Sequence, residues 1–353
     1  MIDTPGIPGT RVLFPVGSVR SLAAALLTLA GARTKDAALV AQELVRADQM
    51  GVPSHGVIRV GEYLKAIRTG QIDVQADCGV VSERGAIVVV DGGRGFGQVV
   101  GRYALEMANQ VAKEHGCALV VTRNSHHIGR VGALAEIGAE RGLLVLAFVA
   151  VGTPGPVVPL GGVAGRLGTN PLVYGVPTEA GPVISDFATS AMPEGAVNLA
   201  RRAGQSLPDG VLIDSTGAPT NDPAALYDEP PGGLLPFGGR WAHRGYALNL
   251  MAEFFAGTLA GYRPDDPTRP SNSMFLLAVD HNAALPGGAF PRLAAATVEY
   301  VRSAGSPGQV LVPGERELCA LAEAGDRIPL DAATVMMLNS LAHDAGLTCR
   351  LVD

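Results

Sequence analysis

The chain has 353 residues, 47% of them hydrophobic and 17% charged, with a formal net charge of −6 at pH 7. That length suits two domains with cores of their own, and the composition excludes a disordered chain. The acidic balance excludes a nucleic-acid-binding footprint, and no block of Lys or Arg addresses an anionic membrane.

The elements follow in chain order. Residues 16–50 read as helices, with Leu22, Leu26 and Leu29 on one face, and Leu39, Val40, Leu44 and Ala47 on another. Ser18 and Thr34 are the expected N-caps. A further helix is expected over 57–69, stopped at Gly70. A strand at 86–90 then meets a glycine-rich turn and a helix near 97–115. A strand at 118–122, a helix near 130–141 and a strand at 143–150 continue the alternation, which argues for an α/β domain. Short β runs at 172–176 and 182–185 lie in a Gly/Pro-rich stretch, and residues 205–240 are irregular, as functional segments often are. A helix over 243–261, a strand over 274–279 and helices over 289–303 and 331–346 complete the chain. No segment reads as a signal peptide. The apolar stretch 22–32 is shorter than the roughly 20 residues that a membrane span needs. Cys78, Cys117, Cys319 and Cys349 have neither metal nor redox spacing. Reduced thiols and a cytoplasmic location are expected.

Five segments are candidates for chemistry. The turn Asp91-Gly92-Gly93-Arg94-Gly95-Phe96-Gly97 enters a helix as a phosphate cradle does, but it lacks the spacing of the dinucleotide fingerprint. A helix starting near Ser54 would place His55, Arg59 and Tyr63 on one face. An imidazole, a carboxylate-matching fork and a phenol side by side suit a substrate with a carboxylate next to a carbonyl. The segment from Asn124 to Gly129 carries His126 and His127 just after a strand, where α/β sites are often lined. Metal chelation by adjacent loop histidines is a rival reading there. Gly168-Thr169-Asn170 and Asp186-Phe187-Ala188-Thr189-Ser190 offer small polar side chains and backbone N–H groups for phosphate or ribose. His243-Arg244 place positive side chains at a helix N-terminus, an arrangement that an anion would relieve. The turn carrying Gly314-Glu315 offers further hydrogen bonds.

Together the segments SHGVIRVGEYLKAIRTGQI, DGGRGFGQ, NSHHIGRVG, GRLGTNPLVYGVP, SDFATSAMPEG, LPDGVLID, NDPAALY, LLPFGG, HRGYALNLM and VPGERE resemble, in order and over most of the chain, the type-2 malate/L-lactate dehydrogenase family. That family includes ureidoglycolate and sulfolactate dehydrogenases, diketogulonate reductase and the piperideine/pyrroline-2-carboxylate reductases. The resemblance implies an α/β fold with a mixed, non-Rossmann sheet. It implies a helical subdomain of 1–75 with 290–353, and a nicotinamide-binding part of 76–289. It implies a homodimer that uses NAD or NADP and no metal. The activity implied is hydride transfer between nicotinamide and the α-carbon of a 2-oxo or 2-hydroxy acid, or reduction of a cyclic 2-imino acid. His55 and His127 match the residues assigned to proton transfer. Arg59 matches the carboxylate clamp, and Ser54 and Tyr63 match substrate contacts. Gly168, Thr169, Asn170, Asp186, Ala188, Thr189, Ser190, His243, Arg244, Gly314 and Glu315 match cofactor-binding segments. The chain departs from the family where Arg244-Gly245-Tyr246-Ala247 replaces Lys-Gly-Tyr-Gly, where extra residues at 240–242 include the only Trp, Trp241, and where Ala196 replaces Lys. These departures leave the choice of cofactor and substrate open. They also motivate a rival reading as a dinucleotide-binding sensor.

Overall fold

The computed structural model describes residues 11–152, 155–263, 265 and 272–351. The ends of the expected helical subdomain, 1–10 and 352–353, lie outside the described residues. The described residues begin with β1 (Arg11–Pro15), α1 (Val16–Leu29), α2 (Thr34–Gln49), a 3-10 turn at Pro53–His55 and α3 (Arg59–Arg68). Next come β2 (Gly79–Arg84), β3 (Ile87–Gly95), α4 (Gly97–His115), β4 (Cys117–Ser125), α5 (Gly132–Glu140), β5 (Leu143–Val151), β6 (Leu172–Val176) and β7 (Val183–Phe187). Then come α6 (Glu194–Arg202) and, within the irregular stretch 205–240, a small sheet of β8 (Leu212–Ile213), β9 (Pro219–Thr220) and β10 (Gly233–Leu234). It is followed by α7 (His243–Ala252), a π-helical turn at Glu253–Thr258, β11 (Asn272–Asp280), α8 (His281–Ala284), α9 (Ala289–Arg302), α10 (Glu315–Ala324), β12 (Arg327–Asp331) and α11 (Ala332–Asp344).

The main sheet has seven strands in the order β2-β3-β4-β11-β5-β6-β7. Only β3 and β4 pair in parallel; every other neighbouring pair is antiparallel. This is the mixed, non-Rossmann sheet expected. One face, carrying Val88, Val90, Val120, Val145, Met274 and Leu276, packs on α4 and α5 through Leu105, Ala108 and Leu134. The opposite face packs Phe148 and Phe275 on Ala252 and Ala256. A separate core joins α1, α2 and α3 to the far end of the chain, where Ile328 and Leu330 of β12 and Leu338 and Ala342 of α11 are buried with Leu22, Leu27 and Leu44. The β1–β12 ribbon ties the two chain ends in register.

Local expectations mostly hold. Gly70 stands just past α3 at φ 72, and Gly116 ends α4 in the left-handed region. The expected caps do not hold. Helix α1 starts at Val16, whose N–H donates to the Asp326 carbonyl at 2.8 Å, so a long-range backbone partner takes the place of Ser18. Thr34 is the first residue of α2 rather than its cap, because Arg33 holds that place with its guanidinium anchored on Gln75 and Asp77. Leu29, the last residue of α1, is 59% exposed instead of sharing the buried face.

Candidate active site

The segment around Ser54 is not one helix. Gly56 is extended, at φ −86 and ψ −160, and separates the 3-10 turn from α3. The cause is Asp48 on α2. Its carboxylate accepts the Val57 N–H at 2.7 Å, and a Cβ on Gly56 would lie 2.0 Å from Asp48 Oδ1. The break brings the His55 ring to His127 rather than keeping it above Arg59. The two imidazoles stack at 5.5 Å between centroids and 23° between planes.

His127 owes its place to the glycine turn. The first residue of α4, Gly97, lies under the loop that follows β4, and a Cβ there would be 2.3 Å from the His126 carbonyl oxygen and 2.4 Å from that of His127. The N-terminal end of α4 is therefore filled by carbonyl oxygens, which leaves no cradle for a phosphate. Gly97→Ala is expected to push the histidine loop away, with a loss of about 1–3 kcal/mol of stability, the usual cost of overpacking. A thermal melt unchanged from wild type would contradict this.

The Tyr63 hydroxyl lies 2.8 Å from His127 Nδ1 and accepts the Gln98 amide N–H at 2.8 Å. His126 stands edge-on to Tyr63 at 6.0 Å. Ser54 Oγ lies 3.0 Å from His55 Nδ1. Arg59 donates through Nε to the Ser54 carbonyl at 2.6 Å and through Nη1 to Glu62 at 2.6 Å. Gly195, at the start of α6, presses on this group: a Cβ there would lie 2.7 Å from Arg59 Nη2. The side chains Ser54, His55, Arg59, Tyr63 and His127, picked out from the sequence, thus converge. Gln98, Glu62, Asp48 and Gly195 complete the site and were not singled out; Glu62, three residues after Arg59 on the same helix, was the readable signal.

Electrostatics sets the resting state. Burial, then the charges of Arg59 and Arg130, push His55 down to about 3. Burial pushes His126 down to about 4. Burial, then Arg59 and the neighbouring histidines, hold His127 well below its ordinary value. Burial pushes the Tyr63 phenol up to about 12. The free site therefore holds neutral imidazoles and a protonated phenol. Unfolded imidazoles titrate near 6.5, so below that pH the unfolded chain binds protons that the folded chain refuses. Stability is expected to be constant above about pH 7 and to fall on acidification, by at most about 1.4 kcal/mol per pH unit for each such imidazole. Urea midpoints at pH 7.5 and 5 check the sign, and His126→Gln should flatten the slope.

The proposed cofactor segments lie along one run of contacts. Gly314 packs on Ile184 of β7, where a Cβ would lie 2.9 Å from the Ile184 carbonyl oxygen. Asp186, exposed at the end of the same strand, accepts the Gly132 N–H at 2.7 Å, at the N-terminal end of α5. Ala188 is half-buried beyond it. Several side chains are committed to the loops themselves. Thr189 donates to the carbonyls of Thr169 and Asn170, and Ser190 to that of Met192. Asn170 accepts from Val151 N–H and donates to Asn249 and Glu253, while Asn249 also reaches the Gly168 carbonyl. These residues leave backbone, Thr169 and Asp186 to face a ligand. Glu315 is likewise engaged, with Arg302 and the Val312 N–H. It lines a separate cavity with Thr178, Pro182, Val298 and Leu318, away from the histidines. At the start of α7, Arg240 and Arg244 flank the exposed Trp241 ring at 5.2 and 5.1 Å, with His243 edge-on to it at 6.0 Å. Among the described residues neither arginine has a carboxylate partner. Unneutralised cations at the positive end of a helix fit the phosphates of a dinucleotide. Among the described residues no group of three His, Cys, Asp or Glu side chains is arranged to hold a metal.

The chain is similar to known proteins over nearly its whole length. The malate/L-lactate dehydrogenase family matches residues 14–339. The chain is 36% identical to the L-lactate dehydrogenase of Cupriavidus necator, over 94% of this chain and 97% of that protein. Its fold superposes on the malate dehydrogenase of Pyrococcus horikoshii with a TM-score of 0.86 and 26% identity, covering 99% and 100% of the two chains. For the Δ1-piperideine-2-carboxylate reductase of Pseudomonas syringae pathovar tomato the TM-score is 0.83 and the identity 30%, covering 94% and 100%. The chain belongs to the malate/L-lactate dehydrogenase family. It is an oxidoreductase that uses a nicotinamide cofactor on a small-molecule substrate.

Proposed function

We propose that the protein moves a hydride between a nicotinamide dinucleotide and the α-carbon of a small 2-oxo or 2-hydroxy carboxylate. The observation that carries this reading is the partly buried Arg59 guanidinium beside two stacked, neutral imidazoles, one of them backed by Tyr63. Arg59 keeps N–H groups on Nη1 and Nη2 for the substrate carboxylate, end-on and in parallel. His127 faces the substrate oxygen and exchanges its proton. A neutral imidazole serves there as a hydrogen-bond donor that stabilises the developing alkoxide. His55, stacked on that ring and anchored by Ser54, holds the opposite side. The nicotinamide, when bound, supplies or accepts the hydride. Arg240, His243 and Arg244 would hold its phosphates, with Thr169, Asp186 and Ala188 along its length. The buried side chains of Asn170, Thr189 and Ser190, with Gly168, keep that wall in shape.

Reduction of a cyclic 2-imino acid is a second reading with an observation in its favour. Both imidazoles are held neutral, which suits a substrate that arrives with its own proton on nitrogen. The same experiment tests both readings: oxidation of NADH and NADPH, followed by nicotinamide absorbance, against 2-oxo acids and cyclic 2-imino acids. Turnover with either class identifies the substrate. The ratio of the two cofactors reports whether Arg240 and Arg244 answer to a 2′-phosphate. Cofactor binding without turnover of any of them would favour the sensor.

We also place the protein in the cytoplasm as a homodimer. Four free cysteines fit a reducing compartment, and no described helix is long and apolar enough to cross a membrane. Exposed Phe254, Phe255 and Leu259 offer an apolar patch for a second copy. Sedimentation velocity gives the oligomeric state.

A further inference from the structure

We infer that Gln98 is a positioning residue that decides which nitrogen of His127 carries the proton. The inference rests on reading His127 as the group that exchanges the proton with the substrate.

Gln98 sits in the first turn of α4 and is 4% exposed. Its amide nitrogen donates to the Tyr63 hydroxyl at 2.8 Å. A phenol has one hydrogen and can accept as well as donate. Because Tyr63 accepts from Gln98, its hydrogen is left for another partner. Among the described residues the only other group within hydrogen-bond distance of that oxygen is His127 Nδ1, at 2.8 Å. Tyr63 is 1% exposed, so an O–H without an acceptor would cost about 1–3 kcal/mol. The phenol therefore donates to Nδ1. A neutral imidazole has one N–H, and with Nδ1 occupied as an acceptor that hydrogen sits on Nε2.

The orientation of the Gln98 amide is itself constrained. As it stands, its carbonyl oxygen is the buried atom without a partner. Turned over, the amide would instead bury two N–H groups with no acceptor. An under-satisfied carbonyl is the more tolerable of the two. The direction of the relay is thus Gln98 to Tyr63 to His127, with each hydrogen pointing the same way.

This has a functional sense. An Nε2–H facing the substrate can donate to a carbonyl oxygen as hydride arrives at the neighbouring carbon. It cannot accept the hydroxyl proton of an alcohol until the ring changes tautomer. The relay poises the free enzyme for reduction.

The test reads the tautomer directly. The full-length protein is labelled with 15N-histidine, and His127 is assigned by its disappearance in His127→Asn. Long-range 1H–15N correlation at pH 8.5 then shows which nitrogen is protonated. Wild type is expected to show Nε2–H. Gln98→Glu is nearly isosteric but only accepts at that pH. It should draw the Tyr63 hydrogen to itself and invert the pattern to Nδ1–H. Gln98→Leu removes the donor and should give a mixture. In both variants kcat for reduction is expected to fall on the order of tenfold, less than the roughly 10² to 10⁴-fold of removing an acid–base group because His127 itself is kept, with KM changed less than about twofold. A wild-type Nδ1–H tautomer would overturn the inference. So would variants that keep the wild-type pattern, or that lose kcat and gain KM together as a packing defect does. Since the tautomer is read on the free protein, this outcome stays separate from whether the panel of acids is turned over.

Discussion

Replacing Arg59 by leucine is expected to lower kcat/KM for the carboxylate substrate by roughly 10² to 10³-fold, mostly through KM. Truncating one side of a desolvated charge pair costs about 2–5 kcal/mol, and each 1.36 kcal/mol is a factor of ten. The size of the loss follows from the surroundings of the guanidinium, only 13% of whose side chain is exposed. Arg59→Lys keeps the charge but offers an ammonium where the carboxylate meets a planar fork, and should recover part of the loss. A second effect separates this role from simple packing. Arg59 is one of the charges that depress His55 and His127, so in the leucine variant both should titrate closer to ordinary values. A variant with unchanged KM would show that the carboxylate binds elsewhere.

The second large effect is expected at His127. His127→Asn should lower kcat by about 10² to 10⁴-fold with a smaller change in KM, the signature of a group that acts in the transition state. His55→Asn should cost less, because its ring supports that of His127 and its own Nδ1 faces Ser54. Full-rate turnover by His127→Asn with a 2-oxo acid would remove His127 from the proton path. If the substrate is a cyclic imine that enters already protonated, the loss at His127 shrinks while the loss at Arg59 stays. The pair of variants therefore separates the two substrate classes even before the physiological compound is known.

Much of this was legible in the residues. The strands at 86–90, 118–122 and 143–150 are apolar runs between turns and helices; β4 and β5 contain the last two, and β3 starts one residue into the first, at Ile87. What periodicity does not carry is pairing. Strands β1 and β12 were missed because each is five residues long and finds its partner at the other end of the chain. Strand β2 was missed because it sits at the sheet edge with its residues largely exposed and no alternation to read. At the site, the residue types were readable and their geometry was not. Ser54, His55, Arg59 and Tyr63 suggest a continuous helical face. Asp48 breaks it, through a tertiary contact that no local spacing announces. Thr189 and Asn170 show the converse. Small polar residues next to strands look like ligand contacts, yet here their hydrogen bonds close on the loops that carry them. Gln98 was present at the end of the glycine motif, but its meaning depends on Tyr63, thirty-five residues away.

The central strand of the sheet has a consequence for how the chain must assemble. Strand β11 is hydrogen-bonded on one side to β4 and on the other to β5, in the latter case through all nine of its residues. As the ribosome extends the chain, β4 and β5 emerge well over a hundred residues before the strand that separates them. Until it arrives, each has an open edge, and apolar side chains such as Phe148 and Val149 have no neighbour to pair with. The halves of the sheet therefore close late, by an insertion of high contact order, which makes folding slow and leaves a long window for mispairing between nascent chains. A translation product that stops short of residue 272 would lack the middle of its own sheet, so such truncations should yield aggregates rather than a smaller folded unit.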